Sequence, residues 1–206
     1  IASTTMAYVA EIPAIAATNP FTDVKESNSH YIAITELYGQ GIVSGITVTS
    51  YKPGQDTTRG EAALFLAKAL DLDTKNVSNP GFKDVPTSSE YYGAIAVLHA
   101  KEIIGGYGDT FKPENTLTRA QLAKMLSLGF ELEQATSTSS KFTDVNKLTD
   151  IATKRYIQTL VDYSITSGTT ATTFSPNKNL TRGQLATFLY NAINTTTEEF
   201  DVIDVQ

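Results

Sequence analysis

The chain has 206 residues, of which 41% are hydrophobic and 18% are charged, so it is long enough to bury a core and has a globular composition. Its net charge of −6 argues against a broad basic face for nucleic acid or for an anionic membrane, and no apolar run is long enough to cross a bilayer. The absence of cysteine excludes disulfides and thiolate metal sites. We therefore expect neither nucleic acid nor a membrane as a partner.

The first segment, residues 1–19, is rich in alanine and other small residues. Ala14–Ala16 follows Pro13 and matches the small-x-small pattern of a signal-peptide cleavage site, whereas Glu11 interrupts the apolar stretch that such a peptide needs. We interpret the segment as the remnant of a secretory signal. A simple N-terminal arm is the alternative.

Two motifs recur three times along the rest of the chain. The first is phenylalanine-x-aspartate-valine, and the second is aromatic-x-proline, with an arginine six positions after the proline. Both recur every 60 to 63 residues, a register that indicates three internal repeats. The motif aspartates are Asp23, Asp84 and Asp144, and the arginines are Arg59, Arg119 and Arg182. We place the repeats at residues 20–79, 80–139 and 140–195.

Each repeat is predicted to contain a helix, a loop and a second helix. Apolar residues three, four, six, seven and eleven positions after each arginine predict a second helix with one buried face. A weaker apolar pair marks each first helix. The pairs are Ile34 and Leu37, Ile95 and Leu98, and Ile157 and Leu160. The last pair comes two positions later in its repeat, which indicates a small insertion there.

A short stretch containing glycine follows each first helix. The stretches are Gly41–Gly45, Glu102–Gly106 and Ser164–Gly168. Glycine just past a helix end is typical of a left-handed cap, so we expect glycine to supply that conformation in each repeat. One repeat alone buries only a thin stripe on each helix, and the three repeats are therefore expected to share a core.

The arginines lie at an unusual position, directly after a threonine that is predicted to cap the second helix. A helix start carries partial positive charge, which disfavours a cation. Capping boxes explain the threonine and the residue three positions after it. These pairs are Thr58 and Glu61, Thr118 and Gln121, and Thr181 and Gln184. They leave the arginine itself unexplained.

Two explanations of the arginine remain open on chemical grounds. It could pair with a neighbouring acid, such as one of the motif aspartates, in a surface salt bridge. Alternatively, it could join the free amides of the helix start in holding an anion, and a carboxylate suits a guanidinium best because two parallel hydrogen bonds form.

With these motifs, the chain resembles three tandem surface-layer homology (SLH) domains, as in bacterial S-layer and cell-surface proteins. The resemblance covers about Phe21 to Ile193. It implies a mainly α fold in which three helix-loop-helix repeats form a pseudo-threefold arrangement around a shared helical core, with grooves between neighbouring repeats. It also implies secretion, a Gram-positive cell-wall or S-layer location, and binding of a pyruvylated secondary cell-wall polysaccharide, often through pyruvylated N-acetylmannosamine. Other S-layer subunits are a second class of partner.

The resemblance also implies candidate ligand-binding residues. Contact with the ketal carboxylate transfers to Arg59, Arg119 and Arg182, and the motif aspartates Asp23, Asp84 and Asp144 are candidate acceptors for sugar hydroxyls. A role in capping a loop is the simpler interpretation of the aspartates.

Sugar rings usually stack on aromatic side chains, and the chain has no tryptophan. Tyr31 and either Tyr91 or Tyr92 are the candidates, with core packing as the alternative. Only the middle repeat keeps Gly106 and Asp109 before its aromatic-x-proline motif. We therefore expect the middle motif to form the best site, and the third groove is the one that the motifs support least.

No catalytic residue, metal site or cofactor is predicted. The chain has two histidines and no histidine pair at helical spacing, and its conspicuous acids are triplicated rather than forming one unique catalytic pair. The predicted function is a non-catalytic wall-anchoring module. The alternatives are the anchoring region of a cell-surface enzyme and a helical protein–protein scaffold without glycan binding. Residues 196–206 are interpreted as a C-terminal tether that leads into a strand.

Overall fold

The computed structural model describes residues 18–203, and it describes side chains as far as residue 196. Seven helices lie in this range. They are α1 (Tyr31–Gly39), α2 (Arg59–Ala69), α3 (Tyr92–Ala100), α4 (Arg119–Gly129), α5 (Thr143–Asn146), α6 (Ile151–Asp162) and α7 (Arg182–Ile203). Extended segments of the described chain pair only in isolated bridges. The predicted mainly α class is confirmed, whereas the signal remnant or arm predicted for residues 1–19 lies almost wholly outside the described residues.

The helices form three repeats, each with a first and a second helix. α1 and α2 belong to the first repeat, α3 and α4 to the second, and α6 and α7 to the third. The single-turn α5 contains the motif aspartate Asp144 and precedes α6, which has 12 residues where α1 and α3 have nine. Ile157 and Leu160 are fully buried, as are the corresponding pairs of the other first helices.

Each second helix begins at its arginine, behind the predicted threonine cap. The cap hydroxyl accepts a hydrogen bond of 3.1–3.2 Å from the amide three residues later in all three repeats. The predicted apolar face of each helix is buried, with 0% exposure at Leu66, Leu126 and Leu189.

The three repeats close into a ring. The second helix of each repeat packs against the first helix of the next, so that α2 contacts α3, α4 contacts α6, and α7 returns to contact α1. Helix α2 also contacts α4 and α7, which places the second helices at the centre around one shared core. The predicted pseudo-threefold arrangement is confirmed.

The two sequence motifs of each repeat form one structural unit. The phenylalanine of the first motif packs against the aromatic ring of the second, with ring centroids 5.3–5.9 Å apart. The motif aspartate accepts hydrogen bonds of 2.7–3.0 Å from the amides of that aromatic residue and of the next residue. These next residues have φ between +55° and +60°, so the aspartate holds an otherwise unfavourable backbone turn. They are Lys52, Lys112 and Ser175.

The expectation that glycine supplies each left-handed cap is correct only in the first repeat. Gly41 has φ +73°, but the equivalent left-handed residues are Glu102 (φ +59°) and Ser164 (φ +57°). The last glycine of each stretch has a steric role instead. A Cβ atom at Gly106 would lie 2.3 Å from the Phe82 ring, and Cβ atoms at Gly45 and Gly168 would lie 2.6 and 2.4 Å from the equivalent phenylalanine rings. Tertiary contact, rather than helix capping, explains these repeated glycines.

Helix α7 differs from the other second helices in length. It continues to Ile203, so residues 196–203, which are interpreted from sequence as a tether leading into a strand, are helical. Thr196 donates its hydroxyl proton to the carbonyls of Ala192 and Ile193, which accommodates a threonine inside the helix.

Candidate functional site

Each repeated arginine reaches across a repeat boundary. Its Nε donates to the carbonyl of the aromatic-x-proline residue in the next repeat around the ring, at 2.7–3.0 Å. The guanidinium carbon lies 4.4–4.6 Å from the centre of that aromatic ring. The pairs are Arg59 with Phe111, Arg119 with Phe174, and Arg182 with Tyr51. The arginines therefore join neighbouring repeats, and all three share this charge-assisted hydrogen bond and this cation–π contact.

The helix-start amides do not match the sequence-based expectation. They are predicted to be free for an anion, but those of Arg59 and Gly60 donate to the carbonyls of Asn115 and Pro113 in the next repeat, at 2.8 and 2.9 Å. The other two second helices repeat this arrangement, and the third amide of each helix is held by the threonine cap. The prediction of free amides was wrong because carbonyls of the neighbouring loop occupy them.

The motif aspartates do not form salt bridges with the arginines. Their carboxylates instead accept from loop amides within their own repeat, as described above. Burial tends to raise the pKa of Asp23, but hydrogen bonds from the Tyr51 and Lys52 amides and the Ser50 hydroxyl outweigh it, so the pKa is lowered. The pKa of Asp84 is lowered in the same way by amide hydrogen bonds. The proposed ion-pair explanation of the arginines was therefore wrong for these partners.

The three arginines differ in how many of their terminal nitrogens are occupied. Arg182 uses both, donating to the Ser44 carbonyl at 2.6 Å and to the Glu61 carboxylate. Arg59 uses one, donating through Nη2 to the Gly105 carbonyl at 2.9 Å. Arg119 donates only through Nε, and neither of its terminal nitrogens has a hydrogen-bond partner among the described residues. Equivalent motifs thus leave different numbers of donors available.

Arg119 lines a cavity of about 430 Å³, which we call the Arg119 groove. The residues around Arg119 come from the third repeat and from the turn just before α1. They are Ser29, His30, Ile165, Thr166, Ser167, Gly168, Thr169, Gln184, Thr187, Phe188 and Asn191. Only 3% of Arg119 is exposed to solvent. Burial lowers its pKa to about 10, partly opposed by the Asp144 carboxylate, so the guanidinium stays protonated at neutral pH.

A smaller cavity of about 250 Å³ adjoins Arg59, and we call it the Arg59 groove. Its wall includes Gly106, Tyr107, Gln121 and Lys124. Tyr107 is 47% exposed, and the Arg59 guanidinium lies 4.9 Å from its ring centre. Burial lowers the pKa of Arg59. This groove combines two cations with an exposed aromatic face.

The environment of Arg182 is different, and we call Arg182, Ser44, Tyr51 and Glu61 the Arg182 site. Arg182 is 1% exposed, and it forms a buried salt bridge with Glu61. Thr57 donates its hydroxyl proton to the same carboxylate at 3.2 Å. Glu61 therefore does not complete the predicted capping box by binding the Thr58 amide, whereas both glutamines do so in the other repeats.

Contacts between repeats also explain the glycines that follow two of the arginines. A Cβ atom at Gly183 would lie 2.5 Å from the His30 ring, and one at Gly60 would lie 2.5 Å from the Tyr91 ring. His30 is half-buried in the wall of the Arg119 groove, where its Nδ1 lies 2.7 Å from the Thr187 hydroxyl. Burial lowers the pKa of His30, which favours the neutral imidazole.

The remaining predicted site residues are not brought together. Tyr31 and Tyr92 are partly buried against the core, and neither lines the two grooves. Gly106 lines the Arg59 groove. Asp109 is exposed and pairs with Lys83 at 2.5 Å. Of the ten predicted residues, the structure thus places Arg119 in one groove and Arg59 and Gly106 in the other.

Sequence reasoning missed three residues that shape these sites. Tyr107 has no aromatic equivalent in the other repeats, and Glu61 stands where they have glutamine. Both differences are visible when the copies are compared. His30 carries no such signal, because its place in the groove depends on the contact between α1 and α7.

Two general features of the described residues bear on function. Within residues 18–203, no three or more histidine, aspartate or glutamate side chains are grouped as a metal site would need. In the same range, none of the helices combines the length and hydropathy required to cross a membrane.

Comparison with known proteins reveals the family. The model of the S-layer homology domain matches residues 20–63, 81–123 and 141–186. An S-layer protein of Bacillus thuringiensis subsp. finitimus is 31% identical over 90% of this chain and 23% of its own length. An endoglucanase of Bacillus sp. strain KSM-635 is 29% identical over 81% of this chain and 18% of its own length. A cellulosome-anchoring protein of Acetivibrio thermocellus is 29% identical over 80% of this chain and 39% of its own length. This chain therefore spans well under half the length of each relative.

Proposed function

Because this chain belongs to the S-layer homology domain family, we propose that it is a non-catalytic module that anchors a secreted protein to the bacterial cell wall. Its ligand is an acidic wall polysaccharide that carries a pyruvate ketal, and the carboxylate of the ketal binds Arg119. The relatives named above include an S-layer protein, an endoglucanase and a cellulosome-anchoring protein, and this variety fits a module that serves different attached regions.

The observation that carries the proposal is the state of the Arg119 guanidinium. It is charged and the residue is only 3% exposed, yet neither terminal nitrogen has a hydrogen-bond partner within the described chain, and Arg119 lines a cavity of about 430 Å³. Neither nitrogen is among the buried unsatisfied atoms of the described chain, so both are accessible from the groove, where a carboxylate can accept two parallel hydrogen bonds from them. The net charge of −6 makes a local cation of this kind necessary for holding an acidic ligand.

The rest of the Arg119 groove suits a carbohydrate. Its wall is rich in uncharged hydrogen-bonding side chains, which match sugar hydroxyl groups without demanding a second charge. They include Ser29, Thr166, Thr169, Thr187 and Asn191. The Phe188 ring supplies an apolar surface next to the cation, which fits the methyl group of a pyruvate ketal.

The Arg59 groove is proposed as a second site for the same polymer. Its arginine keeps Nη1 available, and Lys124 adds a second positive charge. The exposed Tyr107 ring provides the kind of face on which a sugar stacks, a role that tyrosines at the first-helix starts do not fill in this fold.

In this proposal the ketal carboxylate is bound by side chains, and the helix-start amides do not contact it. Those amides are bound to carbonyls of the neighbouring loop, as shown by the backbone geometry. The motif aspartates likewise act by holding the loop that carries the aromatic-x-proline residue, so they position the arginine's stacking partner rather than contact the sugar.

The test is co-sedimentation of the module with purified cell walls that either carry or lack the pyruvyl group. We expect binding to the pyruvylated walls and loss of most binding to the others. Equal binding to both walls would refute the carboxylate mechanism. No binding to either would favour the helical scaffold, and release of soluble sugars during incubation would favour an enzyme.

A further inference from the structure

Arg182 is bound to a carboxylate of the chain itself, that of Glu61, whereas Arg119 and Arg59 each border an open cavity. The equivalent positions in the three second helices are Glu61, Gln121 and Gln184. Each lies beside the arginine of the preceding repeat, since Gln121 lines the Arg59 groove and Gln184 lines the Arg119 groove. Only the glutamate bonds to its arginine.

The two glutamines are held away from the arginines by their own helix caps. Gln121 Oε1 accepts from the Thr118 amide at 2.9 Å, and Gln184 Oε1 accepts from the Thr181 amide at 3.1 Å. Glu61 does not accept from the equivalent amide of Thr58 and accepts instead from Arg182. A carboxylate forms a stronger hydrogen bond with a charged donor than with a neutral amide.

A second residue supports the glutamate in this repeat alone. Thr57 is fully buried and donates to Glu61 Oε2 at 3.2 Å. The equivalent residues are Leu117 and Leu180, which have no hydroxyl to offer. Two polar replacements thus occur together where the carboxylate is held.

From these contacts we infer that Glu61 acts as an internal ligand of Arg182 and closes the third groove to acidic saccharides. The inference rests on the function proposed above, and it makes Glu61 the residue that determines how many grooves are available. The Arg182 guanidinium has all three nitrogens bonded within the chain, so an external carboxylate would have to displace Glu61 from a side-chain environment that is only 13% exposed.

The experiment follows the arginine Nε–Hε signals by NMR during titration with 2,2-dimethoxypropanoate, the acyclic ketal of pyruvate. This probe tests the carboxylate contact without requiring the sugar or the wall polymer. In the unmodified protein, we expect saturable shifts for Arg119 and Arg59, and none for Arg182. Arg155 is exposed and lies outside the grooves, so its signal is the control within the same spectrum.

Two variants exchange the residues that distinguish the grooves. Glu61→Gln should make the Arg182 signal respond to the probe, because the guanidinium loses its carboxylate while a cap-forming glutamine replaces it. Gln184→Glu should weaken the response of Arg119 at least tenfold and leave that of Arg59 unchanged. The second variant tests the inference even if Glu61→Gln fails to fold.

The outcomes separate this inference from the function on which it rests. A response of Arg182 in the unmodified protein as strong as that of Arg119 would overturn the inference alone. An unresponsive Arg182 in folded Glu61→Gln, or an undiminished Arg119 response in Gln184→Glu, would do the same. Failure of all three groove arginines to respond in every variant would refute the carboxylate site itself and the inference with it.

Discussion

The Arg119 groove and the Arg182 site are built from the same motif and reach opposite chemical states. In both, a buried arginine donates through Nε to the next repeat and stacks on an aromatic ring. Arg119 keeps both terminal nitrogens available beside a cavity, whereas Arg182 binds Glu61 and the Ser44 carbonyl. The shared contacts join repeats, and the contacts that differ decide whether a ligand has room to bind.

Within the repeated motif, the contacts that join the repeats are therefore distinct from the donors that remain available for a ligand. The hydrogen bond from Nε, the contact with the aromatic side chain and the capped helix start are common to all three repeats. They stabilise the packing of each repeat against the next. The bonding of the terminal nitrogens differs between repeats: those of Arg182 donate to Glu61 and to the Ser44 carbonyl, one of Arg59 donates to the Gly105 carbonyl, and those of Arg119 have no partner in the described chain.

The largest expected effect is on stability, from Arg182→Ala. The variant removes three hydrogen bonds and leaves the mostly buried Glu61 carboxylate without its cation, which should lower the free energy of unfolding by about 3–5 kcal/mol. Arg119→Ala removes one hydrogen bond and the contacts with the Phe174 and Phe188 rings, so its cost should be about 1–2 kcal/mol. Urea unfolding of both variants measures the contrast.

Arg155→Ala is the matched control for these two variants, because Arg155 is exposed and should change the unfolding free energy by less than about 0.5 kcal/mol. Equal costs for Arg182→Ala and Arg119→Ala would contradict the distinction between a closed and an open site.

The second effect is on ligand affinity, from Arg119→Lys. Lysine keeps the charge but cannot offer two parallel donors to a carboxylate, so affinity for the pyruvylated polymer should fall about tenfold to a hundredfold, or about 1.4–2.7 kcal/mol. Arg182→Lys should leave the affinity unchanged. Isothermal titration calorimetry on the two folded variants checks the prediction, and a similar loss from both would show that the Arg182 site also binds.

The third effect concerns the residue after the arginine. Gly183→Ala should destabilise the protein by about 1–3 kcal/mol, because the new methyl group would meet the His30 ring. The equivalent residue of the middle repeat is Ala120, where Ala120→Gly should cost about 1 kcal/mol through lower helix propensity. Thermal unfolding compares them. Stabilisation by Gly183→Ala would mean that helix propensity, rather than the contact with His30, governs this position.

The smallest effect is a pH dependence of the free energy of unfolding, which we expect from His30 in the wall of the Arg119 groove. Because burial lowers the pKa of His30 below its ordinary value of 6.5, the unfolded chain takes up the proton first as the pH falls. The contribution of His30 to stability is therefore present above pH 6.5 and is lost as the pH falls through its folded-state pKa. The side chain is only half-buried, so the change should be less than about 1 kcal/mol.

The His30 prediction is measured as a difference between the unmodified protein and His30→Gln, each unfolded with urea across this pH range. Glutamine can still bond to the Thr187 hydroxyl but does not titrate. Parallel stability curves for the two proteins would show that His30 does not contribute.

Much of the fold could be predicted from the sequence because its signals are local. The threonine caps of the second helices depend on residues three positions apart, and the apolar stripes that include Leu66, Leu126 and Leu189 depend on one helical period. Both were located correctly. The left-handed turns at Glu102 and Ser164 were missed, because these residues adopt a conformation that glycine usually supplies.

The candidate site was predictable in part. Arg59, Arg119 and Arg182 stood out because they occur where a helix start disfavours a cation, and each does occupy a special position between repeats. Their partners could not be predicted from spacing. The carbonyl that receives each Nε belongs to another repeat, and the loop carbonyls that occupy the helix-start amides approach only after the ring has formed.

The sequence by itself determined the number of repeats, their helices and the positions of the three arginines, because each of these depends on interactions within a few residues or on the period of duplication. The tertiary structure alone decided which arginine has free donors. Arg182 and Glu61 are 121 residues apart along the chain, and they meet because α7 packs against the first repeat. The same packing of α7 against α1 places His30 in the groove that Arg119 lines.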